Sequence, residues 1–371
     1  MTPLKIGIIG AGIGGLCAAI ALLRAGHDVQ VFEQAKAFMR VGADINLTPN
    51  AVKALDGLGV GPAIRERAAR PTHRISRLWD SGEETSRLEM ADAAERQYGA
   101  PQLTIHRADL LSALAAAFPL QRIQFGKRAE VIDAQGRCVQ FTDGSRAQFD
   151  LLVGADGIHS AVRTAMFGAE QPRFTGVVAY RAVVPAASVA QVPNIQAFTK
   201  WWGPNPQSQI VTFPLNRGED IFIFATTAQA SWHLESWTTP GSVDELREQY
   251  ADFHPDARAL LSACDEVLKT ALYERDPLPH WAANGLALLG DACHPMMPFM
   301  AQGAGQAIED GVVLARALAD GADLDGALAR YQAARLDRAS RIQIGSRGNQ
   351  WLKDGGNGDW VYGYDAWAVA I

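Results

Sequence analysis

From Ile6 to Leu23, 18 consecutive positions carry no charge, yet Gly7, Gly10, Gly12, Gly14 and Gly15 interrupt the run. Its length alone would suit a membrane span, but glycines at these intervals mark a strand, a tight turn and a helix. Lys5 to Gly10 is therefore expected to form a buried strand, Gly12 to Arg24 a helix and Asp28 to Glu33 a second strand. Such a βαβ unit opens a parallel sheet, and no membrane role is expected. Apolar positions recur at helical spacing over Ala51–Ala69 and again over Ala108–Phe118. From about Arg173 to Leu272 the pattern shortens to strand-like runs, of which Gln209–Pro214 and Asp220–Thr226 flank a turn signal at Asn216-Arg217-Gly218. Long helical patterns return over Gln302–Leu318 and Leu324–Arg341, and no internal repeat or low-complexity run is present.

Composition narrows the classes. A chain of 371 residues suits about two domains. Hydrophobic residues at 48% and charged ones at 20% are ordinary for a globular protein. With 34 basic and 40 acidic residues the net charge is -6, which gives no electrostatic case for nucleic acid. Cys17, Cys138, Cys264 and Cys293 show neither a CxxC pair nor metal-ligand spacing, so free thiols in the cytoplasm and no metal site are expected.

Three separated glycine-acid stretches carry the chemistry. In the first, Gly10 allows a tight turn, Gly12 lets backbone approach a pyrophosphate, and Gly15 permits close packing of helix on strand, with Gly14 in the same cofactor-binding set. Phosphate oxygens would sit at the positive helix end. Glu33, ending the second strand, is placed to bind an adenosine ribose. The third stretch separates FAD from NAD: Leu286–Leu289 is a strand ended by Gly290-Asp291, and a loop leads to Gln302-Gly303-Ala304-Gly305 at a helix start. Asp291 is suited to hold a ribityl chain, while free N–H groups of the helix start face the pyrimidine edge of a flavin. The middle stretch, Gly154-Ala-Asp156-Gly157, follows the apolar strand Leu151–Val153.

With these motifs in this order, the chain resembles the class A flavoprotein monooxygenases, the aromatic hydroxylases. The resemblance implies that Asp156-Gly157 serves FAD and the nicotinamide nucleotide and that Asp291 belongs to the riboflavin motif. It also implies that Arg107 contacts the FAD pyrophosphate and that Arg40 lies near the flavin. The expected fold is α/β, with a Rossmann-like FAD-binding domain discontinuous over 1–70, 100–172 and 273–330. An antiparallel β-sheet substrate domain over 71–99 and 173–272 is inserted in it, and a helical C-terminal segment covers 331–371. Lys200-Trp201-Trp202, His294-Pro295-Met296 and Trp360-Val-Tyr-Gly-Tyr-Asp365 are similar to the branch acting on 6-hydroxynicotinate, with salicylate hydroxylases more distant.

Departures fall where a substrate would sit. In that branch histidines stand at the positions of Asn46 and Phe299 and a cysteine at that of Phe198, so a less acidic substrate is expected. Asp44 replaces a usual glycine and is expected to face water. Pro298 and Phe299 should border the flavin side. Tyr180, Arg181 and Lys200 are candidate polar partners, and Gln209, Thr212 and Phe213 candidates for the pocket floor. Trp201 and Trp202 are expected to pack rather than to stack on a ligand.

The resemblance implies an NAD(P)H-dependent hydroxylase, NADH preferred over NADPH, using bound FAD and molecular oxygen through a flavin C4a-hydroperoxide. The substrate would be a small hydroxypyridine- or phenol-type ring, with decarboxylation if a carboxylate sits on the attacked carbon. A larger quinolone or polycyclic substrate and a non-catalytic FAD-binding protein are the alternatives. A monomer or a homodimer fits equally.

Overall fold

The computed structural model describes residues 3–39, 44–232, 238–319, 323–349, 351–353 and 358–371. The expected βαβ unit is present as Lys5–Ile9, the helix Ile13–Arg24 and Asp28–Glu33. These strands sit inside a six-stranded sheet ordered Ala282–Ala283, Leu286–Leu288, Leu151–Gly154, Lys5–Ile9, Asp28–Glu33 and Ile123–Phe125. All pairings are parallel except that of the two-residue edge strand. Parallel strands covered on both faces need continuous apolar sequence, which Ile6, Ile8, Leu151, Leu152 and Leu288 supply. The helices Ile13–Arg24 and Gly303–Ala319 lie against each other beside this sheet, and Leu324–Arg347 packs on the second of them.

A seven-stranded sheet forms the other layer, in the order Leu268–Glu274, Arg173–Pro185, Asp220–Ala228, Gln209–Leu215, Phe198–Trp202, His73–Leu78 and Glu84–Glu89. It is not wholly antiparallel, because Phe198–Trp202 runs parallel to His73–Leu78. Strand alternation gives the sheet two different faces. Tyr180, Trp201, Ile210 and Ile223 turn towards Leu246, Tyr250 and Leu260 of the flanking helical region. Ala179, Phe198, Val211, Phe213 and Phe224 turn the other way.

Two helical patterns differ in extent from expectation. The 51–69 periodicity resolves into two helices, Pro49–Gly57 and Gly61–Arg65, because a glycine-containing link intervenes and Pro62 opens the second. The second C-terminal helix runs on to Arg347, crossing residue 331 without interruption. After it the chain returns to the core: Trp367 Nε1 donates to the Ala54 carbonyl at 3.1 Å, and Arg316 donates to the carbonyls of Ala366 and Val369. Among the described residues no helix is long and apolar enough to cross a membrane.

Candidate functional site

A cavity of about 1140 Å³ lies between the two sheets. That exceeds the usual ~300–1,000 Å³ of a pocket for one small molecule. Its walls run from Gly10, Glu33 and Arg128 at one end to Arg74, Lys200 and Phe213 at the other.

The glycine turn shapes the first end. Gly10 has φ +102°, and a Cβ there would lie 2.3 Å from the Ala155 carbonyl oxygen. A Cβ on Gly15 would come within 2.0 Å of the Gly10 oxygen, so Gly15 seals helix on turn and does not line the cavity. Gly12 is different, for a Cβ there would meet nothing within 4 Å and would project into open space at the helix start. Glu33 is fixed by two backbone amides: Ala11 N–H donates to Oε2 and Ala35 N–H to Oε1, both at 2.9 Å. Arg107 lines the same stretch, and burial lowers its guanidinium pKa while Asp291 and Glu33 resist that shift. Asp156 caps the helix Ala161–Phe167 through Oδ2, which accepts from Ala161 N–H at 2.7 Å.

Further along, the accessible surface of Asp291 opens into the cavity. Surrounding protein raises its carboxyl pKa by desolvation, against His294 and Arg107. Gly303 and Ala304 present the start of a 17-residue helix to the same space. Gln302 borders the cavity, but its side chain is spent inside the protein, donating to Thr48 Oγ1 at 2.8 Å and accepting from Asn50 at 3.1 Å. A Cβ on Gly305 would point to Ala51 and Asn50, and Gly305 is not among the residues lining the cavity.

Behind this segment is a buried charge network that the sequence analysis missed. Arg335 donates to Asp310 at 2.8 Å, to Glu309 at 2.5 Å and to Gln306 at 2.7 Å. Arg338 adds bonds to Glu309 at 2.9 and 3.1 Å. Asp310 Oδ2 accepts from Gly290 N–H and meets His294 Nε2 at 2.6 Å, tying the network to the loop that carries Asp291. Burial pushes the Asp310 carboxyl up, yet His294 and Arg335 outweigh it and hold the group at about 2. The only sequence signal was an acidic pair, Glu309-Asp310, inside an otherwise apolar helical run.

At the far end the cavity is aromatic. The rings of Phe198 and Phe213 stack with centroids 5.4 Å apart, and Pro298 and Phe299 close the side nearest Gln302. Asn46 Oδ1 accepts from Gln102 at 2.9 Å, whereas Asn46 Nδ2 and Gln209 Oε1 are buried without a partner. Both residues line the cavity. Arg181 lines it as well; burial lowers its pKa to about 10 against the pull of Asp44, and it donates to Thr270.

Tyr180 and Thr212 do not reach this space. Each lies one residue out of phase with its lining neighbours, so Tyr180 enters the opposite core and Thr212 leaves the floor to Gln209, Val211 and Phe213. Asp44 does not face open water either. It is half-buried on the cavity wall, where desolvation lifts its carboxyl to about 7 and Arg181 only partly opposes this. Trp201 packs in the opposite core as expected, while Trp202 is buried beneath Lys200, whose Nζ is 3.7 Å from its ring centroid. Arg40 lies outside the described residues.

The cradle suits FAD. Space in front of Gly12 that a side chain would fill, a tethered acid at Glu33, and cationic Arg107 have the shape and charge to suit a pyrophosphate and a ribose. The length of the cavity leaves a second, aromatic-walled compartment beyond. Comparison with known proteins agrees. The 6-hydroxynicotinate 3-monooxygenase of Bordetella bronchiseptica is 39% identical over 99% of this chain and 97% of its own length. The salicylate hydroxylase of Pseudomonas putida is 36% identical over 92% of this chain and 84% of its own. Among solved structures, Klebsiella pneumoniae HpxO complexed with FAD and uric acid superposes with a TM-score of 0.82 at 29% identity, covering 96% of this chain and 90% of that one. A family profile described as FAD binding domain matches residues 4–344, and with these relatives it shows that the chain belongs to the FAD-binding-domain family, among its FAD-dependent monooxygenases.

Proposed function

We propose that this enzyme hydroxylates a small aromatic or heteroaromatic ring of the hydroxypyridine or phenol type, with NADH or NADPH as electron donor and molecular oxygen as oxygen source. One observation carries the reading. The nucleotide cradle opens directly into a compartment walled by Phe198, Phe213 and Phe299, where Asn46 Nδ2 and Gln209 Oε1 are buried and unpaired. Buried polar groups are normally satisfied, so a vacant donor and a vacant acceptor flanking an aromatic slot suit a ring bearing a hydroxyl or a ring nitrogen.

Gly10, Gly12 and Gly14 would hold the FAD pyrophosphate, Glu33 the ribose, and Arg107 the phosphate charge. Asp156, Asp291 and the backbone of Gln302, Gly303 and Ala304 would hold the remainder. Bound FAD supplies the electron transfer and the oxygen activation. This chain's own residues orient the ring and exclude water: Asn46 and Gln209 fix its polar edge, and the phenylalanines fix its plane. We assign residues 1–70, 100–172 and 273–330 to the FAD-holding part and 71–99 with 173–272 to the substrate part. A cytoplasmic enzyme of aromatic catabolism, monomeric or homodimeric, fits this reading.

Titration of the FAD-loaded protein with 6-hydroxynicotinate and with salicylate tests it. A shift of the flavin absorbance, together with faster NADH oxidation by at least one ligand, is expected. A flavin indifferent to hydroxylated aromatics of every kind would overturn it.

A further inference from the structure

Buried cations in this protein are generally paired with acids. Arg335 meets Glu309 and Asp310, and Arg163 and Arg275 both meet Glu170. Two cations on the cavity wall break the pattern. Arg74, 6% exposed, and Lys200, 3% exposed, stand on adjacent parallel strands, where Arg74 is in register with Phe198. Their neighbours are neutral. Lys200 Nζ donates to Asn349 Oδ1 at 2.5 Å and faces the Trp202 ring. The Arg74 guanidinium reaches the Tyr362 hydroxyl at 3.5 Å and lies 5.2 Å from the Phe198 centroid. Lys353, 5.4 Å from the Trp202 centroid, adds a third positive charge. Among the described residues no carboxylate forms an ion pair with Arg74 or Lys200.

An unpaired buried charge is costly, and burial beside Arg74 and Lys353 disfavours the charged form of Lys200; an anion entering the cavity would stabilise that form and relieve the cost of both groups at once. The stacked rings of Phe198 and Phe213 lie beside Arg74, so an anion held there would extend from a ring in the aromatic slot. Arginine and lysine together match a carboxylate, one as a fork and the other as a point charge.

We propose that Arg74 and Lys200 form the carboxylate anchor of the substrate compartment, so that the ring hydroxylated here is that of an aromatic acid; this rests on the aromatic-hydroxylase reading given above. Asn349 and Tyr362, both from the C-terminal region, act as positioning residues that hold the two cations. An acid-binding anchor runs against the expectation of a less acidic substrate drawn from Asn46 and Phe299.

The test compares matched ligands on the FAD-loaded full chain. Flavin absorbance titrations are run with 6-hydroxynicotinate against 6-hydroxynicotinamide and with salicylate against salicylamide. In at least one pair the acid is expected to bind at least about tenfold more tightly than the amide. Lys200→Met and Arg74→Met should each bring that ratio towards one, and Lys200→Arg should largely keep it. Equal binding of acid and amide in both pairs overturns the anchor and leaves the hydroxylase reading standing, and so does a ratio unchanged in both methionine variants. Absence of any response to all four ligands overturns the anchor, and a flavin that also ignores other hydroxylated aromatics overturns the hydroxylase reading with it. Because the wild-type ratio needs no variant, a substitution that prevents folding does not hide the answer.

Discussion

Gly12→Ala and Gly15→Ala, three residues apart on one turn, are expected to fail in opposite ways. At Gly12 the backbone has φ −70°, which alanine adopts freely, and the new methyl meets nothing within 4 Å. Losing a helix-cap glycine costs roughly 0.5–1 kcal/mol, and stiffening the unfolded chain returns about 0.4–1 kcal/mol. The FAD-free protein should therefore stay within about 1 kcal/mol of wild type. The methyl occupies the approach to the pyrophosphate, however, and losing one charge-assisted bond of ~1.5–3 kcal/mol weakens FAD binding about 10- to 150-fold. Gly15→Ala drives its methyl to 2.0 Å from the Gly10 carbonyl oxygen, a backbone atom inside a tight turn. A cost at or above the upper end of the ~1–3 kcal/mol seen for overpacking is expected, before any FAD is added. Urea unfolding of FAD-free protein and fluorescence titration with FAD separate the two. The reasoning is refuted if Gly12→Ala binds FAD as tightly as wild type, or loses FAD only in proportion to lost stability.

Two other predictions concern charge. Arg335→Met leaves the buried carboxylate of Glu309 short of its main counter-charge and that of Asp310 with His294 alone, so a loss of about 3–5 kcal/mol in urea unfolding is expected, with weaker FAD binding; a loss under about 1 kcal/mol would contradict it. Asp44, held at about 7, gains negative charge as pH rises through neutrality, so wild-type affinity for an anionic ligand should fall there. Arg181 faces Asp44 and stays charged in that range, while burial, Arg74 and Lys353 disfavour the charged form of Lys200, whose loss of charge as pH rises acts in the same direction. Asp44→Asn should remove the fall around neutral pH, measured as ligand Kd against pH, and an unchanged profile would show that Asp44 does not face the ligand.

What the sequence made legible was local. Gly10, Gly12 and Glu33 are readable because a strand, a turn and a helix follow one another within about 30 residues, and Gly290-Asp291 with Gly303-Ala304 lie within a single short connection. Strand phase was harder. Tyr180 and Arg181 are adjacent in sequence but face opposite cores, and only the pairing of neighbouring strands decides which one meets the cavity. Contacts across the chain left no local trace: Asn50 meets Glu309 259 positions away, and Lys200 meets Asn349 149 positions away. Phe198, Phe213, Phe299, Asn46 and Gln209 were already candidates from the resemblance, but the stacking of the rings, the unpaired atoms of Asn46 and Gln209 and the presence of Arg74 beside them emerged only from the packing of the two sheets.

The most direct measurement is aerobic NADH oxidation by the FAD-loaded protein with and without 6-hydroxynicotinate, under heavy-isotope dioxygen, with products identified by mass. Stimulated oxidation and one labelled oxygen atom in the aromatic product are expected, the product mass also showing whether the carboxylate is kept. NADH oxidation that ignores this and other hydroxylated aromatic ligands, or a product carrying no label, would contradict the assignment as an aromatic hydroxylase.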